Sequence, residues 1–180
     1  MSLTVEDLNE VTRLLGREPR GLNAVVIRRA SNSCSAVLQV ASLVDDKPFP
    51  TLFWLVDPEL NHAIDRLEAM GLILQWQNKL DHQPTYRQRL AEDHRAYIQL
   101  RWDLMKDEDR RRIYQLGFEA VLKKRGIGGI ADFGRIRCLH TYYAAHLVKA
   151  NLIGEWLDAY WQEQDTAFAN KFTLAPMLRF

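Results

Sequence analysis

Residues 22–56 read LNAVVIRRASNSCSAVLQVASLVDDKPFPTLFWLV, and this stretch decides the fold. Leu22–Arg29 (LNAVVIRR) and Ala36–Val44 (AVLQVASLV) are rich in β-branched residues, which suit a pleated surface. Asp45-Asp46-Lys47-Pro48 supplies turn chemistry, and Thr51–Val56 (TLFWLV) is almost wholly apolar. Three such runs with short connections predict an antiparallel meander over 22–29, 36–44 and 51–56. Asp57-Pro58-Glu59 then opens a helix: Asp accepts free backbone N–H groups, and Pro fits the first helical position.

Working outward, Thr4 and Asp7 resemble an N-cap with early negative charge, and Leu8, Val11, Leu14 and Leu15 recur at helical spacing up to Gly16. Helical runs follow the sheet over 60–71, 72–80 and 85–105. Another runs from a cap at Asp107 to Gly126, then come 136–150 and 153–164. Residues 165–180 are apolar but unpatterned, a segment expected to dock on the body or on another subunit. The expected architecture is a single α+β domain over 1–180, a small antiparallel three-stranded sheet followed by a mainly helical C-terminal body.

With 47% apolar and 26% charged residues, the chain has the composition of an ordinary globular domain and not of a disordered one. A net charge of +1 argues against a nucleic-acid coat, which needs many unopposed cations. No uncharged apolar run reaches the roughly 18 residues of a membrane span. Charges also interrupt the first thirty residues, where a signal peptide needs an apolar core. A cytoplasmic protein with two reduced thiols, Cys34 and Cys138, is the expectation.

The charge is banded. Residues 45–68 hold six acids against two bases, whereas 110–137 hold eight bases against two acids. The basic band runs into Lys123–Ala150 (KKRGIGGIADFGRIRCLHTYYAAHLVKA), where glycines, arginines, a cysteine and two histidines concentrate. Gly126, Gly128 and Gly129, with Arg135 and Arg137 before a helix, are candidates for a phosphate or carboxylate cradle. Arg17, Arg20 and Arg28 would converge on the same anion. The competing reading is a helix cap and a turn, because no Walker or dinucleotide fingerprint is present.

Cys138 beside Arg135, Arg137 and a helix N-terminus is a candidate catalytic thiol, with His140 as its partner. The phosphatase spacing fails, since Ala144 stands where an arginine is required. Within a helix, Cys138 and His146 are about 12 Å apart along the axis, so they form no dyad unless Cys138 precedes the first turn. Metal ligation, with zinc as the expected ion, would draw on Cys34, Asp57, Cys138, His140 and His146, with His62 nearby.

The order of several motifs resembles a bacterial family of unknown function, domain of unknown function 501. They are Leu15-Gly16-Arg17-Glu18-Pro19-Arg20-Gly21, Cys34, Pro48 to Leu55 (PFPTLFWL), Arg66-Leu67-Glu68 and Arg137-Cys138-Leu139-His140 with His146. The resemblance spans about residues 15–157 and implies no activity. In that family Pro and Gly usually follow the first cysteine, and another cysteine often precedes the proline of the first helix after the sheet. Ser35-Ala36-Val37 and Asp57 occupy these places here, so a site built on three cysteines is altered. Two functions are expected from these readings. One is a small enzyme or ligand-binding protein for an anionic compound such as a phosphorylated one; the other is an adaptor binding a protein partner or a second copy.

Overall fold

Two carboxylates fix the N-terminal third of the molecule. The computed structural model describes residues 3–171 and 174–176. Helix α1 (Val5–Leu15) starts with a capping box in which Thr4 and Asp7 bond each other's backbone N–H, and it ends at Gly16 in the left-handed region. Its Glu10 accepts from the Ser35 hydroxyl at 2.6 Å and from the Ser35 N–H at 3.2 Å, which ties α1 to the sheet. Asp57, fully buried, caps the next helix through the N–H groups of Glu59 and Leu60 and also pairs with Arg29.

The meander forms. Strands β1 (Leu22–Arg29), β2 (Ser35–Val40) and β5 (Phe53–Leu55) pair antiparallel, with β2 in the middle. Both faces of β2 are covered: Val37 packs into the main core and Leu38 against Val11 of α1, Val25 and Val56. That is why its sequence reads as a continuous apolar run. Truncating the fully buried Leu38 to Ala is expected to cost about 2–5 kcal/mol.

The predicted strand 36–44 does not continue past Val40. Ala41 N–H donates to Gly21 O, and Leu43–Val44 (β3) pairs with Lys47–Pro48 (β4) as a separate two-stranded ribbon. Its tip is Asp45-Asp46, both at positive φ, the conformation of a tight two-residue hairpin.

Helices α2 (Pro58–Ala69), α3 (Leu72–Asp81) and α4 (Pro84–Asp103) follow as expected. The helix expected up to Gly126 divides into α5 (Asp107–Gln115) and α6 (Glu119–Lys123), because Gly117 takes φ 73° between them. Lys106, not Asp107, occupies the cap position, and Asp107, Glu108 and Asp109 fill the first turn. The helix predicted over 136–150 is shorter, α7 (Leu139–His146), and Cys138 precedes it in extended form. Next come α8 (Leu152–Gln164) and α9 (Thr166–Lys171).

The tail docks where it is described. Phe168 and Ala169 pack on the main core, and β6 (Leu174–Pro176) pairs antiparallel with β1 as a fourth strand. The remaining residues of the expected docking segment, 172–173 and 177–180, lie outside the described residues. The result is an α+β fold, with α1 on one face of the sheet and the helical body on the other. Among the described residues no helix is long and apolar enough to cross a membrane.

Candidate functional site

The start of α7 lies against α2. Asn61, Asp65 and Glu68 recur on α2 at i, i+4 and i+7, a spacing that places them on one face. Cys138 sits at the N-cap of α7 with extended backbone. The N–H of Leu139, left free by the helix start, donates to Glu68 Oε1 at 2.6 Å. His140, one residue on, is surrounded by acceptors. Its Nδ1 lies 3.7 Å from Cys138 Sγ and 3.3 Å from Glu68 Oε1. Its Nε2 lies 3.2 Å from the Asn61 carbonyl and 3.3 Å from Asp65 Oδ1.

This environment sets the charge on the imidazole. Burial opposes it, but the hydrogen bond and charge of Cys138, the charge of Glu68 and the Asn61 carbonyl outweigh burial, so the pKa is pushed up to about 9. The raised pKa favours the imidazolium, in which both ring nitrogens donate to these acceptors. Among the described residues, Glu68, Cys138 and His140 form the one group of three or more His, Cys, Asp and Glu side chains whose ligand atoms lie within 4.8 Å of one another. His140 also lines a cavity of about 230 Å³ with Thr51, Phe53, Trp54, Leu55 and Thr141.

Of the five expected metal ligands, then, Cys138 and His140 meet, and Glu68 joins them. Cys34 lies at the start of β2, where burial and then the carboxylate of Glu10 push its thiol up. Asp57 is committed to Arg29 and the α2 cap. His146 Nε2 bonds Asp158 at 2.9 Å, and its Nδ1 accepts from the Asn151 N–H. His62 is exposed on α2. Cys138 does precede the first turn of α7, yet its histidine is His140 and not His146.

The glycine loop is occupied by the protein itself. Backbone N–H groups of Gly126, Gly129 and Ile130 donate to neighbouring carbonyls, and that of Ile127 donates to His94 Nδ1. A Cβ on Gly126 would overlap the His94 ring, one on Gly128 would meet Thr141, and one on Gly129 would meet Pro50. These glycines admit side chains rather than a ligand. The helix that was to offer free N–H groups begins only at Leu139.

The arginines do not converge. Arg17 lies over the Trp54 ring, and Arg20 pairs with Asp45 at 3.0 Å. Arg28 is held by Asp7 and Glu10. Arg135 stands 3.8 Å from Asp132, and Arg137 is exposed without an ion pair among the described residues. The expected anion cradle is therefore not assembled from these groups.

Sequence reading missed Glu68, Asp65 and Asn61 as site residues. The available signal was the polar i, i+4, i+7 face of α2 within the acidic band 45–68. The family described as Protein of unknown function (DUF501) matches residues 26–159. The chain belongs to that family. The DUF501 match contains Glu68, Cys138 and His140, while α1 and the Leu15–Gly21 motif precede it. No curated protein and no solved structure matches the chain.

Proposed function

We propose that this protein binds one zinc-class divalent ion on Glu68, Cys138 and His140. The observation that carries the reading is the division of labour between the two nitrogens of His140. Nε2 points at a carbonyl and a carboxylate, while Nδ1 faces a thiol and a second carboxylate. Metal-bound histidines are held in this way, one nitrogen donating to a carboxylate or carbonyl while the other ligates. Zinc bonds of about 2.0–2.3 Å set tetrahedral ligands roughly 3.3–3.6 Å apart. The 3.3 and 3.7 Å separations about Nδ1 agree with that geometry.

A thiol, an imidazole and a carboxylate together suit zinc and its neighbours rather than magnesium or calcium. In the metal-free protein a proton on Nδ1 satisfies the same acceptors, so loading exchanges that proton for the ion. Three protein ligands leave the fourth position for water or for the anionic group of a ligand, which is how catalytic zinc sites are built. The anion affinity sought in the arginines would then reside in the metal. A thiolate ligand requires a reducing compartment, consistent with the cytoplasm.

Equilibrium dialysis of apo protein against zinc chloride is expected to give one equivalent bound. Cys138→Ser, His140→Gln and Glu68→Gln should each weaken binding beyond the ~10–100-fold of outer-shell changes, while Cys34→Ser should not. Zinc should also protect Cys138 from iodoacetamide. Alkylation of Cys138 that is fast and indifferent to zinc would favour a nucleophilic thiol paired with the His140 imidazolium, the reading that the 3.7 Å contact also permits.

A further inference from the structure

The other end of α7 holds a second arrangement, independent of the metal site. A cavity of about 300 Å³ lies between α2, α7, α8 and α9, lined by Leu60, Tyr143, Leu147, Asp158, Trp161 and Phe168 among others. That volume is at the lower end of the range of small-molecule pockets. Tyr143 and Trp161 meet edge to face with centroids 5.1 Å apart, and Trp161 and Phe168 are 5.0 Å apart.

Asp158 is the charged group in this wall. Its Oδ1 accepts from the Tyr143 hydroxyl at 2.9 Å and its Oδ2 from His146 Nε2 at 2.9 Å. His146 Nδ1 accepts the Asn151 N–H at 3.1 Å, which leaves Nε2 to donate to Asp158. Gly154 permits this placement, since a Cβ there would overlap the imidazole. Among the described side chains no Lys or Arg lies within ion-pair distance of Asp158, whose partners are the Tyr143 hydroxyl and the His146 ring.

The chemistry of this wall selects its ligand. An anion is repelled by Asp158. A neutral apolar ligand would desolvate the carboxylate without compensating it. A metal ion would find one carboxylate with both oxygens already accepting, and a histidine whose two nitrogens are engaged. A positive charge on an apolar frame meets both features, since ammonium groups are attracted to aromatic faces and to carboxylates. We propose that this cavity binds a small organic cation, its ammonium group held by Asp158 and by the rings of Tyr143 and Trp161.

The test compares choline with 3,3-dimethyl-1-butanol, which has the same shape and no charge, by heteronuclear NMR titration of the full chain at constant ionic strength. Choline is expected to saturate, with shifts centred on Tyr143, Asp158 and Trp161, and the neutral alcohol is not. Asp158→Asn should weaken choline binding at least tenfold while the fold, followed by circular dichroism, is kept. The proposal is overturned if choline does not saturate, if the two probes bind alike, or if folded Asp158→Asn binds choline as the wild type does. Should that variant not fold, the contrast between the two probes on the wild-type protein decides the matter alone.

Discussion

His94, bonded to Ile127 and Tyr142, and His140, which lies between those two residues in the chain, have opposite fates. His94 on α4 is fully buried: Nδ1 accepts the Ile127 N–H at 3.0 Å, and Nε2 donates to the Tyr142 hydroxyl, which itself donates to Arg135 O. Phe133 stacks on the ring with centroids 4.7 Å apart. Burial pushes its pKa down to about 4. This ring is a neutral pin that holds the glycine loop. His140 is surrounded by acceptors that push its pKa up to about 9, on a half-buried surface beside a cavity. The contrast teaches that a histidine's role here follows from what its neighbours donate and accept. The glycines and basic residues around it in the sequence do not reveal that.

The largest way to break the comparison is at the pin. Gly126→Ala puts a methyl group into the space of the His94 imidazole and should destabilise the fold by about 3 kcal/mol, the upper part of the range for overpacking, in urea denaturation. A loop that served a ligand instead would tolerate the change with little loss of stability.

Acid sharpens it next. His94 has a lowered folded pKa, so below about pH 6.5 the unfolded chain takes up a proton that the folded chain refuses until about pH 4. Stability should fall by about 3 kcal/mol across that window, and His94→Gln should remove most of this slope. Equal slopes in variant and wild type would show that His94 is not buried as a neutral ring.

Asp65→Asn probes the other histidine from outside. It removes the negative charge from one of the two acceptors on Nε2, and zinc affinity should drop about tenfold, the low end for outer-shell changes, because the Asn61 carbonyl remains. The smallest effect is on stability at alkaline pH. His140 has a raised folded pKa, so its contribution is complete below about pH 6.5 and is lost as the pH rises through about 9. A shift of that size corresponds to about 3 kcal/mol, which solvent screening of this partly exposed cluster reduces to about 1 kcal/mol. Metal-free wild type should lose that amount between pH 6.5 and 9.5, whereas His140→Gln should not.

Much of the fold was legible in the sequence because its signals are local. The β-branched runs gave β1 and β2, the Asp57-Pro58 pair gave the start of α2, and the apolar stripes gave the long helices. The break after Val40 depends on a long-range bond from Ala41 to Gly21, which no local pattern encodes. The late start of α7 depends on Glu68, 71 residues earlier in the chain, accepting the N–H of Leu139. The site was half legible for the same reason. Cys138 and His140 are two residues apart in sequence and were visible; Glu68 and Asp65 reach them only through the packing of α2 on α7. The glycine loop misled because close approach to His94, Thr141 and Pro50 needs the same residue type as close approach to a phosphate.

The proposed site binds its ion through Nδ1 of His140. Its most direct test is the ¹⁵N spectrum of the histidine rings at pH 7.5, before and after one equivalent of zinc chloride. Before zinc, His140 should show hydrogen on both nitrogens and His94 on Nε2 alone. After zinc, His140 Nδ1 should lose its hydrogen and shift as a metal-bound nitrogen, Nε2 should keep its own, and His94 and His146 should not change. A His140 that keeps both hydrogens in the presence of zinc, or a shift at a different histidine, would contradict the account.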